Sequence, residues 1–311
     1  LLEFPILFLG ALSKNTPALY SLMNYADMSL GTWYPMGGMY KFIEAFETIA
    51  KKQGVDIKTN HEVIRIETQN GIAIKVVTAN QTFTADVIVG AGDYHHIEQK
   101  LLDKSSQTYT AAYWEKRKMA PSSLLYYIGV NKRIPGLQHH NLFFDADFGL
   151  HAHQIYTEPQ WPTEPLFYVS APSVTDTTVA PEGCENLFML IPVAPGLVDN
   201  EQVREQYFNL IMQRLEKHTN TQITPHIVYK KSYAFSDFVT DYNAFKGNAY
   251  GLANTLNQTA ILKPSIKSKK VKNLYFAGQL TVPGPGVPPS IISGKVVANL
   301  IAKDFNLINK N

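Results

Sequence analysis

Side chains able to do acid–base, metal or nucleophilic chemistry are present in this sequence, but not at the spacings such chemistry uses. His95-His96, His139-His140 and the pair His151 and His153 raise a metal reading. Adjacent histidines do not match a tetrahedral ligand set and no cysteine pair supports them, so they read as polar loop residues and no metal is expected. Asp145 and Asp147 in "FFDADF" would suit magnesium beside a phosphate loop; none accompanies them, and they read as a turn. Cys184 is the one cysteine, G-x-S-x-G does not occur, and nothing local in "PEGCEN" would depress a thiol pKa.

The stretch with the most chemical promise has no ionisable side chain before its last residue. "GQLTVPGPGVPPSIISGK", Gly278 to Lys295, holds four glycines and four prolines between an apolar strand and a helix. A strand ending at Gly278, a tight turn and a helix preceded by Pro288-Pro289 would present backbone N–H groups at the carboxyl end of a sheet, where open α/β sheets bind ligands. Glycines let a flat ligand approach the main chain, and the helix dipole favours negative charge developing on it, as on a reduced flavin. The plainer alternative is an ordinary strand-to-helix connection.

The elements that must position this loop are read from periodicity. Met39, Phe42, Ile43, Phe46, Ile49 and Ala50 share one helical face, Gly54 ends that helix, and "VDIK" is expected to begin a strand. "EVIRIET" and "IAIKVVT" flank Asn70-Gly71, a hairpin signal because both turn residues tolerate positive φ. "FTADVIVGAG" and "NLYFAGQ" read as strands buried on both faces, and "SIISGKVVANLIAKDF" as the closing helix. Between them lie aromatic-rich strands and the amphipathic helix "DNEQVREQYFNLIMQRLEKH", whose acidic start and basic end suit its dipole. The opening segment reads as helical. The expected organisation is α/β (α+β): residues 35–102 and 257–311 form one domain, and residues 1–34 and 103–256 a second that faces the substrate.

Composition narrows the partners. The 311 residues are 45% apolar and 17% charged, against about 25% charged in an average soluble domain, which favours an apolar partner. A net charge of +2 gives no field to attract nucleic acid. Five lysines between Lys263 and Lys272 read as a solvated loop, with anionic lipid headgroups as the alternative. A single cysteine suits a reducing, cytoplasmic compartment. No apolar run reaches the roughly 18 residues of a spanning helix, and "LLEFPILFLGALS" lacks a basic leader. The chain begins without methionine and is expected to be a piece of a longer protein.

Read together, "GTWYPMGGMYKFIEAF", "GVDIKTNHEVIRIE", "ADVIVGAGDYHHIE", "APEGCENLFMLIPVAPG", "GNAYGLANTL" and "NLYFAGQLTVPGPGVPPSIISGK" resemble the bacterial phytoene desaturases, within the FAD-dependent carotenoid desaturase and amine-oxidase-like flavoproteins. The resemblance covers nearly the whole chain. It implies FAD, a partial glutathione-reductase-like FAD-binding domain with an inserted mixed-sheet substrate domain, and desaturation of a polyene, phytoene above all, by hydride transfer to flavin. It implies peripheral contact with a membrane, from which the substrate comes. By the same resemblance Val63 meets the adenine of FAD through its backbone, Gly278 and Gln279 lie near the ribityl chain, and Gly286, Val287 and Pro288 face the pyrimidine edge of the flavin. Many amine oxidases have a carboxylate where this chain has Gln279. Trp33 and Tyr34 are the substrate-lining candidates, and Asp241 is the candidate proton acceptor, set against an ordinary surface aspartate. The family's G-x-G-x-x-G, which holds the pyrophosphate, is absent; "GAGDYH" at Gly90 lacks the third glycine. A carotenoid isomerase, a desaturase of another carotenoid, and a non-catalytic apolar-ligand binder or inactive fragment stay open as alternatives.

Overall fold

The structure, a computed structural model, describes Glu3, Gly10 and residues 12–307. Two compact units share the chain: Leu1–Tyr20, Thr59–Pro121 and Phe238–Asn311 make one, and Ser21–Lys58 with Ser122–Asp237 make the other. The sequence-based boundaries at 34/35, 102/103 and 256/257 lie elsewhere. Residues 103–121 and 238–256 join the first unit through long-range pairing that no local pattern announces. Met119 bridges Leu252, Ala120 N–H donates to Gly251 O at 2.8 Å, and Ala253 N–H donates to Lys118 O at 3.0 Å.

In the first unit β1 (Val63–Gln69) and β2 (Ile72–Thr78) form the hairpin predicted from Asn70-Gly71, whose φ angles are 52° and 72°. A short β3 (Thr82–Phe83) extends it. β4 (Ile88–Gly90) pairs in parallel with β10 (Leu274–Phe276), and the closing helix Val287–Asp304 follows β10. Parallel pairing across so long an excursion is what makes this unit α/β. Its core holds Ile66, Trp114, Leu274 and Phe276, with Tyr94 stacked on Phe276 at 3.6 Å between ring centroids. β10 is buried throughout as expected, whereas Val89 in β4 is exposed: among the described residues the parallel sheet has two strands, which leave one face of β4 uncovered.

The second unit is a five-stranded sheet in the order β6-β7-β8-β5-β9: β5 (Ser122–Val130), β6 (His140–Phe143), β7 (Phe167–Ser170), β8 (Glu185–Val193) and β9 (Ile227–Tyr233). Its pairs are antiparallel throughout, where a mixed sheet is expected from the sequence. Helix Glu201–Thr219, N-capped by Asn200 and ended by Asn220 in the left-handed region, lays Phe208, Ile211, Met212 and Leu215 on the sheet. In chain order we name the helices α1 (Tyr40–Lys52), α2 (Phe148–Tyr156), α3 (Glu201–Thr219), α4 (Phe235–Tyr242) and α5 (Val287–Asp304).

Two expectations fail here. "VDIK", residues 55–58, forms no strand, since no strand edge pairs with it. The apolar face of α1 forms as periodicity demands but stays open to solvent, with no buried residue. Short helical turns between Ser13 and Leu30 agree with the helical reading of the opening segment; residues 1–2, 4–9 and 11 lie outside those described. No described helix is long and apolar enough to cross a membrane.

Candidate functional site

A crevice of about 420 Å³ lies in the first unit, lined by the loop Ala91–Asp93 that follows β4, by Gly278 and Gln279 that follow β10, by Asn248 and by Ser290 in the first turn of α5. It sits beyond the carboxyl ends of the two parallel strands, the place where open parallel sheets receive ligands. Phe238, Tyr242, Ala244 and Ala249 complete its wall. Gly278 N–H donates to Ser293 Oγ at 2.8 Å, and Ser293 Oγ donates to Ser290 O at 2.7 Å, so β10 and α5 are tied where the crevice opens. Asn248, buried, organises the other wall. Its Oδ1 accepts from Gly251 N–H at 2.7 Å and from Gln279 Nε2 at 3.3 Å, and its Nδ2 donates to Phe245 O at 2.6 Å.

Asp93 is the carboxylate of the crevice. Oδ1 accepts from His96 N–H at 2.8 Å, capping the helical turn Tyr94–His96, and Oδ2 accepts from Phe245 N–H at 3.1 Å. Burial pushes its pKa up to about 6, against the lowering effect of the backbone N–H groups of His96, Phe245 and His95. Neighbouring His95 stacks on Phe245 at 3.9 Å, and burial lowers its pKa to about 4.

The helix start differs from its expected form. α5 begins at Val287, with Gly286 as N-cap, so Pro288 and Pro289 lie inside the first turn and not ahead of it. Proline has no N–H. Ser290 N–H is already bonded to Gly286 O, which leaves Gly286 and Val287 as the residues of this turn with an amide to offer. The anion-stabilising end of α5 is therefore narrower than the sequence suggests.

Among the remaining expected site residues, Val63 opens β1, half-buried against the core of the first unit, and is not part of the crevice wall. Asp241 is exposed on α4; its neighbours Phe238 and Tyr242 line the crevice and it does not. Trp33 is 88% exposed, with Nε1 donating to Leu30 O. Tyr34 packs edge-on against His139, and its phenol pKa is raised by burial and then by the Asp176 carboxylate. Asn248, Asp93 and Ser293 escaped sequence reasoning. Only Asp93 left a signal, an Asp immediately ahead of a short helical turn.

Other motifs resolve into local structure. Asp147 caps α2 by accepting from Leu150 N–H at 2.7 Å, and Asp145 pairs with Arg214. His151 is buried between Pro192 O and Leu166 N–H at 2.8 and 3.0 Å, and burial lowers its pKa to about 4. The lysine run is only partly solvated: Lys269, Lys270 and Lys272 are exposed, but Lys263 is 5% exposed. In the second unit Tyr127, Phe188, Val228 and Tyr229 line an apolar groove of about 440 Å³.

The crevice fits one end of FAD: the glycine backbone at Gly278 and a side-chain amide at Gln279 suit a ribityl chain, and Phe238 and Tyr242 offer flat apolar surface, whereas the expected ring-edge residues Gly286, Val287 and Pro288 are not part of its wall. The pyrophosphate has no cradle among these residues. The chain matches the flavin containing amine oxidoreductase family over residues 4–302. It is 39% identical over 306 residues to a carotenoid 3,4-desaturase of Haloarcula japonica, covering 98% of this chain and 62% of that protein. To a zeta-carotene-forming phytoene desaturase of Myxococcus xanthus it is 31% identical, covering 95% and 57%. It thus spans about three-fifths of the length of these relatives. An oxidoreductase from Methanosarcina mazei shares the fold, with a TM-score of 0.57 at 16% identity over 91% of this chain and 58% of that one. The fold is that of the FAD-dependent, glutathione-reductase-like oxidoreductases, and the chain belongs to the flavin containing amine oxidoreductase family, whose cofactor is FAD.

Proposed function

We propose that this protein desaturates a carotenoid polyene with FAD as hydride acceptor. The observation that carries the reading is the crevice at the ends of β4 and β10, walled by Gly278 and Gln279, in a chain similar to carotenoid desaturases. FAD, when bound, supplies the two-electron chemistry. The chain's own residues hold and orient. Asn248 fixes the Gln279 amide, Ser293 fixes Gly278, and Gly286 and Val287 offer N–H groups to an electron-rich ring edge, with Pro288 stiffening the turn. Val63 is assigned to the adenine end on the strength of the resemblance.

A polyene offers no polar handle, so its binding rests on burying apolar surface, about 25 cal/mol per Å². The groove beside Tyr127 and Phe188 suits that, and exposed Trp33 with Tyr34 is a place of first contact. A substrate dissolved in lipid calls for peripheral contact with a membrane, for which Lys269, Lys270 and Lys272 are available. The expected proton acceptor, Asp241, lies off the crevice; Asp93, with its pKa near 6, is the carboxylate on it.

Phytoene is the substrate that the sequence suggests. The higher identity to the 3,4-desaturase favours a carotenoid already conjugated. The test is FAD-loaded protein in liposomes containing either phytoene or a carotenoid lacking only its terminal 3,4 double bonds, with products followed by absorbance and chromatography. Longer-wavelength bands from the second substrate are expected. Bands from phytoene alone would reassign the substrate, a change of geometry at constant conjugation would indicate an isomerase, and no new band from either would overturn the proposal.

A further inference from the structure

Lys263 stands apart from its lysine-rich run because its ammonium is sealed beneath the loop that joins β10 to α5. The residue is 5% exposed, and Nζ has no hydrogen-bond partner among the described residues. Asn254, 2% exposed, has an Oδ1 in the same place that is likewise unpartnered among the described residues. Both point at Gly284: the position a β-carbon would take there is 3.3 Å from Lys263 Nζ and 3.6 Å from Asn254 Oδ1. The loop and the lysine segment are fastened together, with Thr281 Oγ1 donating to Pro264 O at 2.7 Å in a buried bond.

A buried charge without a partner is expensive, so a protein that keeps one gains something from it. Burial lowers the Lys263 pKa to about 8, which leaves the side chain mostly protonated at neutral pH, and no carboxylate of the described residues pairs with it. Gly284 lies two residues ahead of Gly286, the N-cap of α5. The ammonium and the helix start therefore act with the same sign on whatever the loop holds.

We propose that Lys263 is a buried cation whose counter-charge comes with the bound flavin: from under the Gly278–Gly286 loop it stabilises the negative charge that the isoalloxazine gains on reduction, and so raises the flavin potential. The inference rests on the flavin reading of the crevice. It makes the bound flavin a stronger acceptor, which suits abstraction of hydride from a C–H bond that carries no activating heteroatom. Lys263 acts through its field and is a positioning residue for charge, not a catalytic one.

The experiment measures the two-electron midpoint potential of the FAD-loaded protein by dye equilibration, in wild type and in Lys263→Met, Lys263→Arg and Asn254→Asp. Lys263→Met should lower the preference for reduced over oxidised flavin at least tenfold, about 30 mV for a two-electron couple. Lys263→Arg should stay near wild type. Asn254→Asp keeps the lysine but sets a carboxylate beside it, and should fall in the same direction as Lys263→Met; it carries the test if Lys263→Met does not fold. Flavin bound at an unchanged potential in both charge-cancelling variants would overturn this inference and leave the flavin reading intact, with ordered water as the partner of the two orphan atoms. A wild-type protein that takes up no flavin would instead count against the flavin reading itself.

Discussion

Gly251 shows how closely single residues constrain the crevice. Its φ is 72°, and a β-carbon there would sit 2.8 Å from Gln279 O and 3.1 Å from Gln279 C, both backbone atoms that cannot swing aside. Gly251→Ala would combine left-handed strain of about 1–2 kcal/mol with a push on the crevice wall. We expect a lower melting temperature together with weaker flavin retention on gel filtration. A variant that melts earlier yet retains flavin as wild type does would show that Gln279 tolerates displacement. The sequence contains "GNAYG" but does not reveal that its second glycine touches a residue 28 positions later. Lys263 was illegible for a related reason: a lysine among lysines looks solvated until the fold places a loop over it.

At the scale of elements, what was legible was local and what was missed was long-range. The hairpin followed from Asn70-Gly71 and α3 from its periodicity and capping, because neighbours in sequence decide both. One buried residue, Asn273, ties the hairpin to the parallel pair, beside the backbone bond from Lys272 N–H to Gly71 O at 2.8 Å. Asn273 Oδ1 accepts from Ala73 N–H at 2.8 Å, and its Nδ2 donates to Ala73 O and Asp86 O, each at 2.9 Å. These partners are 200 and 187 positions away, so no window of sequence shows them. Asn273→Ala would strand two buried backbone groups of Ala73 and release the part-buried Asp86 carbonyl, and should cost about 2–4 kcal/mol. Asn273→Asp keeps the acceptor for Ala73 N–H but loses both donations, and should be destabilised as well. Denaturant unfolding of the two variants checks this, and a loss under about 0.5 kcal/mol for Asn273→Ala would mean that water replaces the side chain.

For the whole molecule, the decisive feature is apolar surface that the described residues leave uncovered. On α1, Phe42, Ile43, Phe46 and Ile49 are all exposed although the helix is patterned to bury them, and on α5 the same holds for Ile291, Ile292 and Val296. β4 and β10 form a parallel sheet of two strands, while parallel sheets are normally covered on both faces. Open faces of this kind drive association. The 311-residue chain alone should therefore bind a hydrophobic dye, sediment as more than a monomer and take up FAD below stoichiometry. The resemblance to desaturases points to a β-α-β unit bearing G-x-G-x-x-G as a cover for such faces, which would also cradle the pyrophosphate. Supplying such a unit by fusion should lower the dye signal and raise flavin occupancy, the first by covering the open faces of α5 and the parallel pair and the second by holding the pyrophosphate. If occupancy rises while the dye signal persists, the open faces of α1 and α5 serve some other contact; if the unfused chain is already monomeric, dye-free and flavin-saturated, those faces need no cover.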